Sequence, residues 1–280
     1  MRRYAIKPLT KVLSNAHCHT TWCDGKNTPE EMIQAALRLG FVSLGFSVHG
    51  WTPYEPCPIT LEREELYRQE LRALREKYRG QIEIIIGAER DSGYQRDFSG
   101  FEYLIDSTHV LEKDGEILFV DWSAEKTADF IHRHFGDDPY AYARAYYRRE
   151  AELCAASDAL FIGHIDLLTK FNEDGRFFDE TDPRYLKPAM EAIEIAVRRG
   201  LPLEMNTGAI SRGYRTTPYP APHLLRAIRD LGGEIIINSD AHSAAGMNTG
   251  FDQCLELARA ALFDHILILR SGGLEEQGIL

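Results

Sequence analysis

The sequence predicts a parallel α/β barrel built as a single domain over residues 1–280. Three observations predict it. Runs rich in β-branched and apolar residues alternate with segments of helical periodicity throughout the chain, the pattern of βα units around a parallel sheet. Neither a linker nor an internal repeat interrupts that alternation. Seven or eight strands are expected, and the seven readable strand ends each carry a polar or metal-binding residue type. In a barrel of this class such strand ends collect on one face.

The first strand is Val12-Leu13-Ser14-Asn15-Ala16, and it runs into His17-Cys18-His19. Two histidines one residue apart point their rings to the same side, because side chains alternate along a strand. Asp24-Gly25 follows after a short polar turn, and Cys18 and Cys23 read as small filler residues beside the pair, with thiolate ligands as the alternative. Thr28-Pro29-Glu30-Glu31 opens a helix: Thr28 caps, Pro29 suits the first position and Glu31 completes a capping box. Met32, Ile33, Ala36, Leu37 and Leu39 give it an apolar face, and Gly40 closes it. A strand from Phe41 to Ser47 ends at His49. The Pro-rich loop Gly50 to Pro58 has no regular structure, and a charged helix runs from Thr60 to Tyr78 with alternating signs on a solvated face.

The next strand, Ile82 to Gly87, ends at Glu89, and Phe101 to Ile105 ends at His109. Asp114-Gly115 between apolar runs marks a hairpin. Helices are expected over Ser123 to Phe135 and Pro139 to Ala156, then a buried strand Ala159 to Gly163 ending at His164. Asp182-Pro183 opens a helix through Arg199. Leu201 to Met205 is a strand ending at Asn206, and Gly208 to Pro220 is a long loop carrying Arg212 and Arg215. A helix from Pro222 to Leu231 and a strand from Glu234 to Asn238 lead to Asp240-Ala241-His242. One more helix and the strand His265 to Leu269 complete the expected fold.

Composition narrows the class of function. Against 43 Asp and Glu there are 32 Lys and Arg, a net charge of −11. That field repels polyanions, so a long nucleic acid is not an expected partner. A small phosphorylated substrate remains compatible, because bound divalent cations reverse the field locally. Met1-Arg2-Arg3-Tyr4 is followed by no apolar run, and no stretch is long enough to span a membrane. Five cysteines without paired spacing point to a reducing cytoplasm. Oligomeric state is not readable from the sequence.

The strand ends supply six imidazoles, His17, His19, His49, His109, His164 and His242, and three carboxylates, Asp24, Glu89 and Asp240. About four to six donors serve one zinc, manganese or iron ion, so nine imply two or three divalent ions with a carboxylate bridging. Ions about 3.5–4 Å apart generate hydroxide at neutral pH and stabilise attacking and leaving oxygens, which suits phosphate-ester hydrolysis. Arg212 and Arg215 are candidates to grip phosphate. His132, His134, His223 and His265 match no strand end and read as surface or core histidines.

The ordered series His17-Cys18-His19, Asp24-Gly25, Ser47-Val48-His49, Gly87-Ala88-Glu89, Ser107-Thr108-His109, Gly163-His164-Ile165-Asp166, Glu204-Met205-Asn206-Thr207 and Ser239-Asp240-Ala241-His242 resembles the polymerase-and-histidinol-phosphatase (PHP) superfamily over nearly the whole chain. Within it the chain looks like the histidinol-phosphatases. That resemblance implies a distorted seven-stranded (β/α) barrel with a trinuclear site. It implies that His17, His19, Glu89 and Asp240 hold one ion, and that Glu89 bridges to a second bound by His109 and His164. Asp24, His49 and His242 would hold the third. Glu89, Asp240 and His242 carry the catalytic assignment, and Arg212 falls where these phosphatases place a phosphate-contacting arginine. The activity implied is hydrolysis of L-histidinol phosphate in histidine biosynthesis by a metal-bridging hydroxide. Its cationic substrate would favour acidic or aromatic partners near Trp51, Tyr54 and Asp121. One position departs from the family: Val48 stands where an acidic residue is frequent, which bears on the orientation of His49.

Three rivals are open at this stage. One is a related phosphoesterase acting on nucleotides or nucleic-acid ends. Another is an amidohydrolase, which also begins with His-x-His, although no lysine here is placed for a carbamate bridge. The third is a metal-stabilised protein without catalysis, against which the complete donor set argues.

Overall fold

The computed structural model describes residues 11–54, 59–92 and 96–280. Met1-Arg2-Arg3-Tyr4 and positions 55–58 of the Pro-rich loop lie outside the described residues. In chain order the first strands are β1 (Ser14–Asn15), β2 (Ser43–His49), β3 (Glu83–Asp91), β4 (Tyr103–Ser107), β5 (Val110–Lys113) and β6 (Glu116–Phe119). They are followed by β7 (Phe161–Ile162), β8 (Leu203–Asn206), β9 (Ile235–Asn238), β10 (His265–Arg270) and β11 (Gly273–Gly278). Among the described residues a curled nine-stranded sheet has the order β1-β2-β3-β4-β7-β8-β9-β10-β11, while β5 and β6 pair as a separate hairpin. From β1 to β10 the neighbours are parallel. The alternation of strand and helix therefore gives the expected distorted barrel.

The helices are α1 (Pro29–Leu39), α2 (Leu61–Lys77), α3 (Ala124–Phe135), α4 (Pro139–Ala156), α5 (Pro183–Arg198), α6 (Gly208–Ser211), α7 (Pro222–Asp230) and α8 (Phe251–Ala260). Local chemistry explains their limits. At α1 the Thr28 hydroxyl accepts from the Glu31 amide, and the Glu31 carboxylate accepts from the Thr28 amide at 2.8 Å, the expected capping box. At α4 and α5 the caps are single-sided: Asp138 accepts from the Tyr140 and Ala141 amides and Asp182 from the Arg184 amide, each before a proline at the first helical position. On α2 only Glu64, Tyr67, Leu71 and Leu74 are buried, so most of its charged surface is the solvated face expected. Asp114 and Gly115 both have positive φ, which matches the twist of the β5–β6 hairpin.

Two apolar layers hold the sheet. Leu44, Phe46, Val48, Ile84, Ile86 and Ala88 point outward into the main core shared with the helices. Ala16, Ile85, Tyr103, Ile105, Phe161, Ile236 and Leu269 form a second cluster inside the curl. Each fully buried large side chain there contributes roughly 1.5–3 kcal/mol by leaving water.

No continuous ladder joins β1 to β9 or β10 among the described residues. Side chains bridge the gap instead. The Ala16 amide donates to Asn238 Oδ1 at 2.7 Å, Asn15 Nδ2 to Ser239 Oγ at 2.7 Å, and the Leu269 amide to Ser14 Oγ at 3.2 Å. One backbone bridge, Cys18 with Ala241, completes the seam.

The structure corrects the sequence reading in two places. The segment Gly208 to Pro220 is not a plain loop: it starts with α6, and Asn206 pairs with Tyr219. Four residues are too few to show a helical period. The chain also continues past the expected last strand into β11, which runs antiparallel to β10. Gly273–Gly278 is polar and rich in glycine, so it carries no strand signal of its own, and pairing with β10 supplies its structure.

Candidate metal centre

Strand register brings the donors to one level. In the β2–β3 ladder His49 lies directly beside Glu89. His17 and His19 follow β1, His109 follows β4, His164 follows β7, and Asp240 and His242 follow β9. Asp24 arrives on a turn in which the Gly25 amide donates to the Thr20 carbonyl at 3.0 Å. A Cβ on Gly25 would stand 2.4 Å from the Thr20 nitrogen, so the turn requires glycine. Asp240 has φ 46, a left-handed conformation that a non-glycine residue adopts at some expense. The strain sits where the chain must turn from β9 to present both Asp240 and His242.

The two Glu89 oxygens divide the site. Oε2 lies 3.3 Å from His17 Nε2, 3.5 Å from His19 Nε2 and 3.2 Å from His49 Nδ1. Oε1 lies 3.1 Å from His164 Nε2 and 3.4 Å from His109 Nε2. Asp240 Oδ1 is 3.2 Å from His19 Nε2 and 3.7 Å from His17 Nε2. On the outer side Asp24 Oδ2 is 2.9 Å from His242 Nε2, and Asp24 Oδ1 is 3.6 Å from His49 Nε2. Three groups have donor atoms close enough for a shared ion: His17, Glu89 and His164; His17, His19 and Asp240; and His19, Asp24, His49 and His242. His19 thus joins the outer group, to which the family resemblance assigned Asp24, His49 and His242. His109 faces Glu89 but stands outside these three groups.

The donor chemistry fits divalent ions. His17 Nε2, His19 Nε2 and Glu89 Oε2 are buried and have no hydrogen-bond partner, yet they point at one another. Buried polar atoms left so are rare unless an ion or water satisfies them. Burial lowers the His17 imidazole, but Glu204, Glu89 and Asp240 outweigh it and hold the group well above its ordinary value. His49 and His109 are raised likewise, against burial, by Asp24 and by Glu89. His19 is pushed the other way, down to about 3, by burial first and then by its neighbours His49 and His242. Burial opposes ionisation of Glu89, but His17 and His109 hold it well below the carboxylate range. A compact set of competing imidazoles and carboxylates of this kind is what a cation resolves.

A layer behind the donors orients them. Glu204, fully buried within β8, has four partners: Oε1 faces His17 Nδ1 at 2.8 Å and accepts from Asn238 Nδ2 at 2.9 Å. Its Oε2 accepts from the His164 amide at 3.0 Å and from Asn206 Nδ2 at 2.8 Å. Asp91 Oδ2 does the same for His109, 3.1 Å from Nδ1. Such partners fix the ring and raise ligand basicity. The sequence reading gave neither residue a role. A carboxylate two residues before Asn206, on the same face of a strand, was the signal available for Glu204. Val48 is buried in the outer core, facing away from the donors. Stacking on His19, with ring centroids 4.3 Å apart, and contacts with Asp24 and Glu89 hold His49 instead.

A cleft of about 310 Å³ opens over the centre, lined by Asp24, His49, Glu89, His109, His164, Asp240 and His242. Arg212 joins them: Nη2 donates to Asp240 Oδ2 at 3.0 Å, and Nη1 lies 3.0 Å from His242 Nδ1. Gly208 makes room, since a Cβ there would stand 2.6 Å from both Arg212 Nη2 and Asp240 Oδ2. Arg215, the other phosphate candidate, is turned away. It is buried, donates to the Thr169 carbonyl at 2.6 Å and pairs with Glu180 at 3.0 Å. Asp121 lines the cleft as expected, together with Phe119, Trp122, Leu167 and Lys170, which the sequence reading missed. Trp51 is not among the lining residues, and Tyr54 packs against Phe119 with ring centroids 6.4 Å apart. His132, His134 and His265 pair with surface carboxylates.

The PHP domain family matches residues 15–208. The chain belongs to this family. It is 30% identical over 264 residues to a "Probable histidinol-phosphatase" of Deinococcus radiodurans, covering 88% of this chain and 93% of that one. It is 26% identical over 270 residues to the histidinol-phosphatase of Bacillus subtilis, covering 86% of this chain and 98% of that one. The PHP fold is shared with the crystal structure of a histidinol phosphate phosphatase from Lactococcus lactis complexed with zinc, L-histidinol and phosphate. The TM-score is 0.69 at 18% identity, over 95% of this chain and 99% of that one. None of the helices among the described residues is long and apolar enough to cross a membrane.

Proposed function

We infer that this protein is a metal-dependent phosphomonoesterase, a histidinol-phosphatase that converts L-histidinol phosphate to L-histidinol and phosphate in histidine biosynthesis. The observation that carries the reading is the convergence of nine imidazole and carboxylate donors on one centre, seven of them lining a cleft with Arg212, in a PHP chain whose relatives are named for that activity. His17, His19, Asp24, His49, Glu89, His109, His164, Asp240 and His242 would hold two or three divalent ions, zinc, manganese or iron, with Glu89 facing His17, His19 and His49 through one oxygen and His109 and His164 through the other. Bound there, the ions lower the pKa of water toward neutrality and offset charge on phosphoryl oxygens.

The remaining work falls to the chain itself. Arg212 exchanges its Asp240 partner for phosphoryl oxygens, which a guanidinium can grip with two parallel bonds. Glu204 and Asp91 hold the rings of His17 and His109 in their ligating orientation. Phe119, Trp122 and Leu167 give the far side of the cleft an apolar lining. We place the enzyme in the cytoplasm as one domain over residues 1–280, a reading supported by Cys18, Cys23, Cys154 and Cys254, which are free thiols.

Phosphate release tests the reading. Protein stripped of metal and reloaded with manganese or zinc should prefer L-histidinol phosphate to nucleotides and sugar phosphates. A preference for nucleotides would replace the substrate, and failure to turn over any phosphate ester would overturn the function.

A further inference from the structure

The imidazoles of the centre differ in what stands behind them. At His17 and His109 a carboxylate, Glu204 or Asp91, faces Nδ1 and keeps the hydrogen there, which leaves Nε2 for an ion. At His242 the nitrogen turned away from the outer group faces a cation. Its Nδ1 lies 3.0 Å from Arg212 Nη1, 3.0 Å from the Asp240 main-chain oxygen and 3.5 Å from Asp240 Oδ1. Its Nε2 lies 2.9 Å from Asp24 Oδ2.

Those neighbours make incompatible demands. The Asp240 oxygens only accept, and a guanidinium only donates. A neutral imidazole carries one hydrogen, so Nδ1 serves one kind or the other. With the hydrogen on Nδ1, the ring donates to the Asp240 carbonyl, and Nε2 offers a lone pair to the outer group of His19, Asp24, His49 and His242. With the hydrogen on Nε2, Nδ1 accepts from Arg212 and Nε2 donates to Asp24. The ring then has no lone pair for an ion, and Asp24 is engaged by that hydrogen. Arg212 selects the second form. Its Nη2 donates to Asp240 Oδ2 at 3.0 Å and its Nη1 to the Asp240 main-chain oxygen at 3.2 Å, which keeps Nη1 aimed at the ring.

We propose that Arg212 is a positioning residue that sets the His242 tautomer. Resting on Asp240 and His242, it closes the outer group to a divalent ion, and a phosphoryl group that draws it away opens that group. The ring hydrogen passes from Nε2 to Nδ1, and no proton is taken up or released. The inner donor groups then load without substrate, whereas the outer ion and the phosphoryl group bind cooperatively, each favouring the other by one factor. The proposal rests on the phosphatase reading for the group that draws Arg212 away, and adds an order of loading.

Nitrogen-15 NMR of the imidazoles reads the tautomer without metal or substrate, at about pH 8.5, two units above the ordinary imidazole value. In metal-free wild type the His242 hydrogen should sit on Nε2. In Arg212→Met, which removes the donor and keeps an unbranched chain, it should sit on Nδ1. Zinc titration without phosphate gives the second readout: the last equivalent bound should tighten about tenfold in the variant. Inorganic phosphate should then tighten that equivalent more in wild type than in Arg212→Met. A hydrogen on Nδ1 in metal-free wild type overturns the proposal without any variant. A last equivalent that the substitution weakens or leaves unchanged, or that phosphate tightens equally in both proteins, also overturns it. Turnover of L-histidinol phosphate is measured separately: its absence would remove the phosphatase reading, while tautomer and titration still decide the role of Arg212.

Discussion

Two regions of the sheet handle charge differently. Above the strand ends, His17, His19, Glu89 and His164 are at most 2% exposed, and several of their polar atoms lack a hydrogen-bond partner. Where β3 starts and β4 is about to start, Arg270 meets Glu83 and Arg75 meets Glu102, each with side chains about a third exposed. The second set needs nothing further: each cation has its anion, and water covers the rest. The first set is crowded and incomplete. Burial without partners costs free energy that a bound ion recovers, so the difference separates a site from a surface.

Replacing Glu89 should break the comparison most severely. Glu89→Gln removes a charge facing five imidazoles, and phosphatase turnover should fall by more than the ~100-fold typical of changes behind the ligands. Turnover retained in a folded variant, with folding checked by circular dichroism, would refute the bridging role. Glu204→Gln should come next, with metal affinity or kcat lower by about 10–100-fold, read by metal titration. The amide cannot accept from all four present donors.

A third prediction concerns pH and metal removal. In metal-free protein, carboxylates outweigh burial and raise the pKa of His17, His49 and His109. Their stabilising contribution is full below the unfolded value of about 6.5 and is lost as pH rises through the folded values. His19, held at about 3, is neutral in both states above pH 6.5 and does not change that slope. Glu89 and Asp240 are depressed, so their contribution stays in place over the same range. Metal binding displaces protons and strengthens as pH rises. The gap in Tm between metal-loaded and chelated protein should therefore widen from pH 6.5 to 8.5 on buffered melting curves. A gap that narrows would mean the imidazoles are not the ligands.

Two arginines give the smaller effects and sharpen the contrast. Arg215→Ala should lower stability by about 3 kcal/mol, because it strands Glu180 beside a buried carbonyl, as seen in denaturant unfolding. Arg270→Ala should change stability by no more than about 1 kcal/mol and leave turnover unaffected in the same assays.

The sequence exposed the donors well, because parallel strands deliver their C-terminal residues to one face whatever the loop lengths. His17, His19, His49, Glu89 and Asp240 could all be placed from strand ends alone. The residues behind them could not. For Glu204 the spacing to Asn206 was a signal, but its partners become visible only once β8 is seen beside β9, with Asn206 opposite Asn238. Arg212 and Arg215 are three positions apart on one segment, and only the family resemblance, not the local residue pattern, favoured Arg212 for the cleft. Packing decides it, through Gly208 on one side and Glu180 on the other. Asp121 follows a hairpin whose direction depends on tertiary contacts.

The seam between β1 and β9 also sets an order of events. Asp24 and His242 lie 218 positions apart, and Asn15 and Ser239 lie 224 apart. A chain leaving the ribosome displays His17 and His19 long before Asp240 and His242 have been made. Contacts of such separation form late, since the loop they close must be ordered first. Metal uptake, followed by an absorbing ion during refolding, should thus lag behind burial of the tyrosines in the core. An ion held in this centre is a mark that the last third of the chain has reached the first.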